Sequence, residues 1–239
     1  WDFATTISDY IRNTMEQNFA RFDEYPGYVF NFTGSARYAM MKEYYPAKFE
    51  QLKKYVADGR WFVSGSSVDE GDVNIPSVES IIRQVLYGNE FFRREFGRES
   101  VDYMLPDCFG FPASMPSIWA HCGLRGFSTQ KLSWGSAVGI PFTIGVWEGP
   151  DGKAVLAAFD PGSYAAAIKG RVDLNEDWIR RVNANGQRYG VSADYHYFGV
   201  GDQGGAPLEE DIRNYLASVD QPDSRIHVAL VSSDQMFKD

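Results

Sequence analysis

The sequence predicts an α/β fold, a TIM-like β/α barrel of parallel strands. Three observations lead there. Helix-like and strand-like stretches alternate along the chain, which implies parallel strands joined by crossover helices. The length, 239 residues, is close to the roughly 250 that an eight-fold barrel takes. Acidic residues fall at the carboxyl ends of predicted strands, where such folds place their chemistry.

The alternation is read from the apolar spacing. Phe3, Ile7, Ile11, Met15, Phe19 and Phe22 form a helical stripe over 3–25 that Pro26-Gly27 stops. A short strand comes next over 28–32. Tyr38, Met41, Tyr45, Phe49, Leu52 and Val56 mark a second helical stretch, interrupted at Pro46 and ending at Asp58-Gly59. Residues 60–63 read as a strand that runs into a polar loop, 64–76. A helix over 81–96 is stopped by Gly97. Then come a strand over 101–105, a short helix over 114–121 and a strand over 126–132. A further strand before residue 1 would complete this set. Residues 143–147 and 153–159, joined by Pro150-Asp151-Gly152, read as a hairpin that makes an excursion from the barrel near 140–160. Helices over 178–189 and 208–216 and strands over 195–200 and 226–231 finish the chain. No repeat, low-complexity tract or linker interrupts it, so residues 1–239 read as one domain.

Composition narrows the function. The net charge of −9 leaves no basic stripe for nucleic acid. No run of 18 apolar residues predicts a membrane span, so a soluble protein is expected, with cytoplasm and periplasm both open as compartments. Aromatic residues make up 15%, with 6 Trp and 14 Tyr, a supply of flat faces that a sugar site can use. Two cysteines, Cys108 and Cys122, make no disulfide framework, and neither has an evident base beside it. No His-x-Asp, His-x-His or Cys-x-x-Cys spacing is present, so a complete metal site cannot be built from the sequence alone.

Chemistry gathers around Leu105-Pro106-Asp107-Cys108-Phe109-Gly110. A lone aspartate after a strand is an Asx turn or a helix cap. Here Phe109 and Phe111 place bulky apolar groups in a turn, and Lys131 lies on the next predicted strand, where a charge needs a partner. Asp69-Glu70-Gly71-Asp72 and Asp202, in Gly199-Val-Gly-Asp-Gln-Gly-Gly205, sit at two other strand ends. Glycines on both sides of Asp202 allow close backbone approach to a ligand. His121 reads as a surface residue, His227 as core or rim, and His196, just before the Asp202 loop, as a residue that more often stays out of a site than reaches it. Converging carboxylates are the equipment of glycoside hydrolysis.

Several strings together resemble glycoside hydrolase family 38, the α-mannosidases, in the bacterial and cytosolic branch. They are Leu105 to Gly110; Phe127 to Trp134; Asn74 to Ser80 with Arg83-Gln84; Trp147 to Gly152; and Gly199 to Gly205. Trp1-Asp2-Phe3 is similar to the residues just after the family's His-x-Asp motif. The resemblance runs in order along nearly the whole chain. It implies a seven-stranded β/α barrel and a retaining exo-α-mannosidase with one catalytic zinc, acting on terminal α-linked mannose of oligosaccharides. On it, Asp107 is the nucleophile and a zinc ligand and Asp202 is the general acid/base. Lys131 touches the nucleophile and the sugar, Phe109 lines the sugar pocket, and Asp72 is a substrate-binding acidic position.

That implication has gaps. The other zinc ligands have no counterpart here and are expected before Trp1 and beyond Asp239. The chain would then be a catalytic fragment of a larger multidomain enzyme, inactive by itself, and any homo-oligomer would form through domains outside it. Ser66 to Glu70 lacks the Trp usual near that point. Two other readings stand beside this one: a metal-dependent carbohydrate deacetylase of a related barrel, and an inactive carbohydrate-binding homologue.

Overall fold

A computed structural model describes residues 3–135 and 139–238; Trp1 and Asp2, part of the resemblance above, lie outside them. The first helical stretch runs from Phe3–Thr5 through a π-helical segment, Thr6–Ile11, into α1, Arg12–Glu24. In chain order there come β1 (Phe30–Thr33), α2 (Ser35–Tyr44), α3 (Pro46–Ala57), β2 (Trp61–Ser64), α4 (Val78–Phe96), β3 (Asp102–Met104), α5 (Met115–His121) and β4 (Gly126–Ser128). The remainder comprises β5 (Ile144–Glu148), β6 (Ala154–Ala158), α6 (Glu176–Tyr189) and α7 (Glu209–Leu216). None of the described helices is long and apolar enough to cross a membrane. The chain divides into two compact units, one of Trp1–Val29 with Pro161–Val231, the other of Phe30–Asp160 with Ser232–Asp239.

The second unit carries all the described strands. β1 and β2 pair in parallel, Phe30 opposite Trp61. A separate sheet has the order β3-β4-β6-β5, with β3, β4 and β6 parallel and β5 antiparallel to β6. Its core gathers Tyr103, Leu105, Trp119, Phe127 and Phe159, with Trp119 stacked on Phe127 at 4.4 Å between ring centroids. Helix ends obey the local rules. Ser77 caps α4 by accepting from the Ser80 N–H at 3.2 Å, and Gly97 ends it in the left-handed region at φ 64°. Gly88, mid-helix, lies so close to the 66–67 backbone that a Cβ would stand 2.5 Å from the Ser66 carbonyl oxygen. This contact seats the loop that leads to Glu70.

The seven-stranded barrel is not what forms. Among the described residues there are six short strands in sheets of two and four, and neither sheet closes. A barrel requires every strand to pair on both sides, and three places show why that fails here. Between β2 and β3 the buried Asp102 carboxylate accepts from the Gly65 N–H at 3.3 Å, so a side chain stands where a ladder would run. Residues 195–200 spend backbone donors on loops instead, Tyr197 to the Pro161 carbonyl and Gly199 to that of Ala166. In 226–231 the apolar alternation is real, because Val228 and Leu230 pack against the cluster of Ile168, Val172 and Tyr215, yet the Leu230 N–H goes to the Tyr215 hydroxyl. Half-burial every second residue thus arises without strand pairing. Nor is the hairpin an excursion, since β6 pairs with β4 inside the sheet.

Asp102 carries a pH dependence. It is fully buried, and its carboxyl is pushed up from the ordinary 3.8 to about 6 by burial, with Asp234 adding to the rise. Ser100, the Gly65 N–H and Ser233 pull the other way. Because the folded value lies above the unfolded one, the contribution of Asp102 is fully present below pH 4 and lost as pH rises through about 6. The loss amounts to roughly 3 kcal/mol at about 1.36 kcal/mol per pH unit. Asp102→Asn keeps an acceptor for Gly65 without the charge. Urea denaturation of the variant should match the unaltered protein near pH 3, below the ordinary 3.8, and exceed it by up to roughly 3 kcal/mol near pH 7.5. Identical pH dependence in both proteins would refute this.

Candidate active site

The loop after β3 is anchored before it opens. Leu105 is fully buried and its N–H donates to the Ser128 carbonyl at 3.0 Å, adding one bond to the β3–β4 pairing. Pro106 removes the next donor and the chain turns out. The Asp107 N–H donates to Glu70 Oε1 at 2.9 Å, and Lys131 Nζ stands 2.6 Å from Asp107 Oδ1. The lysine side chain is only 3% exposed while the carboxylate is 48% exposed. A buried cation is therefore fixed on a carboxylate that still faces solvent. Lys131 is not on a strand, as the sequence predicts. β4 ends at Ser128, and residues Lys131–Trp134 form a 3₁₀ turn, begun by Thr129 Oγ1 accepting from the Lys131 N–H at 3.2 Å.

Aromatic groups stand beside the pair. Phe109 is 70% exposed and Trp134 is 69% exposed. Their rings meet edge to face at 6.4 Å, and Lys131 Nζ lies 5.0 Å from the Phe109 centroid and 3.2 Å from that of Trp134. Phe111 turns inward onto Phe127. Glu70 is the acidic partner that residue types did not single out from its neighbours. Burial raises its carboxyl above the usual range, and the Asp107 N–H and Arg37 offset that rise only in part. Asp72 serves its own loop, Oδ1 accepting from the N–H groups of Asn74 at 2.6 Å and Ile75 at 2.9 Å, an Asx turn. Asn74 then ties that loop to the Gly110 carbonyl at 2.9 Å. The Cys108 thiol donates to the Gly71 carbonyl, and burial together with Glu70, Asp72 and Asp107 pushes it up to about 12, so it is a thiol and not a nucleophile at neutral pH.

Asp202 belongs to the other unit. It is exposed and adopts φ 58°, a left-handed conformation that aspartate tolerates better than most residues. The glycines around it do make close approaches, but to the chain itself. A Cβ on Gly204 would meet the Tyr10 carbonyl oxygen at 2.3 Å, and one on Gly201 the Tyr164 ring at 2.3 Å. Asn18 on α1 donates to the Gly205 carbonyl at 3.1 Å. Upstream, His196 stacks on Trp178 at 3.9 Å and shares a hydrogen bond with Asp194 at 2.7 Å, and Arg181 Nε reaches the same carboxylate at 2.6 Å. Burial raises the Asp194 carboxyl, and His196 and Arg181 outweigh it to leave the group below its usual range. His196 is thus a clamp for the segment that leads to Asp202.

Among the described residues no three His, Cys, Asp or Glu groups lie together in an arrangement that could hold an ion, and Asp107 is engaged by Lys131. The described residues do not make a zinc site by themselves.

The full span, residues 1–239, matches the family model described as the N-terminal domain of glycosyl hydrolases family 38. The chain belongs to glycoside hydrolase family 38. Within that family it is 36% identical to alpha-mannosidase G of Dictyostelium discoideum over 87% of this chain and 19% of the relative. It is 32% identical to the human alpha-mannosidase 2C1 over 99% of this chain and 22% of the relative. The chain therefore spans about a fifth of the length of the curated relatives it matches. The crystal structure of an alpha-mannosidase from Enterococcus faecalis V583 superposes with a TM-score of 0.66 at 19% identity, covering 95% of this chain and 26% of that one, a likeness of fold alone. The family 38 assignment confirms the resemblance read from the motifs.

Proposed function

We propose that the complete protein carrying this family 38 domain is a retaining exo-α-mannosidase that removes terminal α-linked mannose from oligosaccharides. The observation that carries the reading is the Asp107 carboxylate, exposed beyond the end of β3 yet fixed by Lys131 at 2.6 Å and through its own N–H by Glu70. The exposed Phe109 ring beside it offers a flat wall for a sugar. The names of the relatives, alpha-mannosidases, support the substrate class.

In this reading Asp107 attacks C1 of mannose and forms an ester, while Asp202 gives its proton to the departing glycosidic oxygen. Asp202 then takes a proton from water, whose oxygen attacks C1 and breaks the ester. Two inversions give net retention. Lys131 orients the carboxylate, Phe109 lines the sugar, and Asp72 holds the bordering loop and offers Oδ2 to a hydroxyl. Zinc belongs to the proposal only with ligands supplied from outside this chain, Asp107 being one ligand within it, and no step above runs through it.

The test is the stereochemistry of the first product. The complete protein, given an aryl α-mannoside and monitored by proton NMR, should release α-mannose before mutarotation. A β-anomer would overturn the two-carboxylate mechanism, and absence of hydrolysis would overturn the activity.

A further inference from the structure

We infer that Trp134 is a carbohydrate-stacking residue whose open face takes the apolar C–H face of a pyranose seated over Asp107. The inference deepens the reading of the chain as part of an α-mannosidase and rests on it. The site residues derived from the sequence do not include Trp134, although it closes the motif that begins at Phe127.

Lys131 and Trp134 are three residues apart, and in a 3₁₀ turn residues i and i+3 eclipse one another. The ammonium therefore lies against the indole, 3.2 Å from its centroid. The same ammonium is held 2.6 Å from Asp107 Oδ1. Ring, cation and carboxylate form one connected set, with the cation buried and the ring 69% exposed.

An exposed tryptophan alone would need no explanation. This one is oriented from beneath by a fixed cation and from the side by Phe109, itself 70% exposed. Two large apolar rings are left to solvent beside an ion pair, although most of their hydrophobic contribution comes from burial. A pyranose matches that surface, with a C–H face for the ring and a hydroxyl edge for the ion pair. Because the ring is already oriented, little side-chain freedom is lost on binding.

A ring in this position could instead act only by keeping water off the Lys131–Asp107 pair, and the test separates the two roles. Calorimetry on the complete protein uses a thio-linked α-mannobioside, which binds without being cleaved, together with kinetics on an aryl α-mannoside. Trp134→Ala should weaken the dissociation constant about tenfold, with a matching loss in kcat/KM carried mostly by KM, and Trp134→Phe should recover most of both. Unchanged affinity in Trp134→Ala, while the unaltered protein binds and hydrolyses mannosides, overturns this inference and leaves the activity standing. A fall in kcat with a shifted pH profile and unchanged affinity assigns the ring to the ion pair and overturns it also. An unaltered protein that neither binds nor cleaves mannosides overturns the activity and this inference together.

Discussion

Asp107→Ala is expected to lower kcat on an aryl α-mannoside by roughly 10⁴-fold or more, because removal of a covalent nucleophile leaves only binding and electrostatic stabilisation. The substitution has a second consequence. Lys131 is 3% exposed and has Asp107 as its carboxylate partner at 2.6 Å. Removing one member of a buried pair costs about 3–5 kcal/mol, and the half-exposed carboxylate moves the expected loss below that range. Asp107→Asn retains the shape and an acceptor oxygen for the ammonium while lacking the nucleophile. It should therefore recover part of the thermal stability lost in Asp107→Ala and none of the turnover. Steady-state kinetics and thermal denaturation on both variants check the two effects separately. Turnover near that of the unaltered protein in either variant would remove Asp107 from the chemistry.

Asp202→Asn should lower turnover by about 10²–10⁴-fold on substrates whose leaving group needs a proton, the usual weight of general acid catalysis. With a dinitrophenyl mannoside, whose leaving group departs as an anion, the first step should be far less affected. Asparagine is the informative substitution, because residue 202 holds φ 58° and asparagine accepts that conformation, whereas alanine adds backbone strain of about 1–2 kcal/mol. A uniform loss across leaving groups would assign Asp202 a structural role. The loop itself is rigidly seated, since Gly201 and Gly204 pack where no side chain fits.

Helices were legible in the sequence because their signals are local. Ser77 and Gly97 bracket α4, and Pro46 separates α2 from α3. The hairpin was readable from Pro150-Asp151-Gly152, where the Gly152 N–H bonds to the Gly149 carbonyl at 3.0 Å and Gly152 supplies φ 79°. Barrel closure was not, because pairing depends on partners remote in the chain. Residues 226–231 carry the alternation of a strand and lie half-buried without a ladder.

The site divides the same way. A charge predicted in a strand demands a partner, which points Lys131 toward a site, and the family resemblance names Asp107 as that partner. Glu70 sits among Asp69, Gly71 and Asp72 in a loop with no periodicity, so nothing local distinguishes the carboxylate that meets the Asp107 N–H from the one that only turns its own loop. Trp134 had a usable signal in its spacing from Lys131. It was hidden because Lys131 reads as the end of a strand over 126–132, which leaves Trp134 beyond that element and removes the turn that brings the two together.

The central claim is that Asp107 becomes covalently attached to mannose. The most direct test exposes the complete protein to a fluorinated mannosyl fluoride that forms the glycosyl-enzyme readily and releases it slowly, and then maps the label by peptide mass spectrometry. The expected result is one glycosyl group on the peptide that contains Asp107, absent in Asp107→Asn. A label on a different carboxylate would contradict the account.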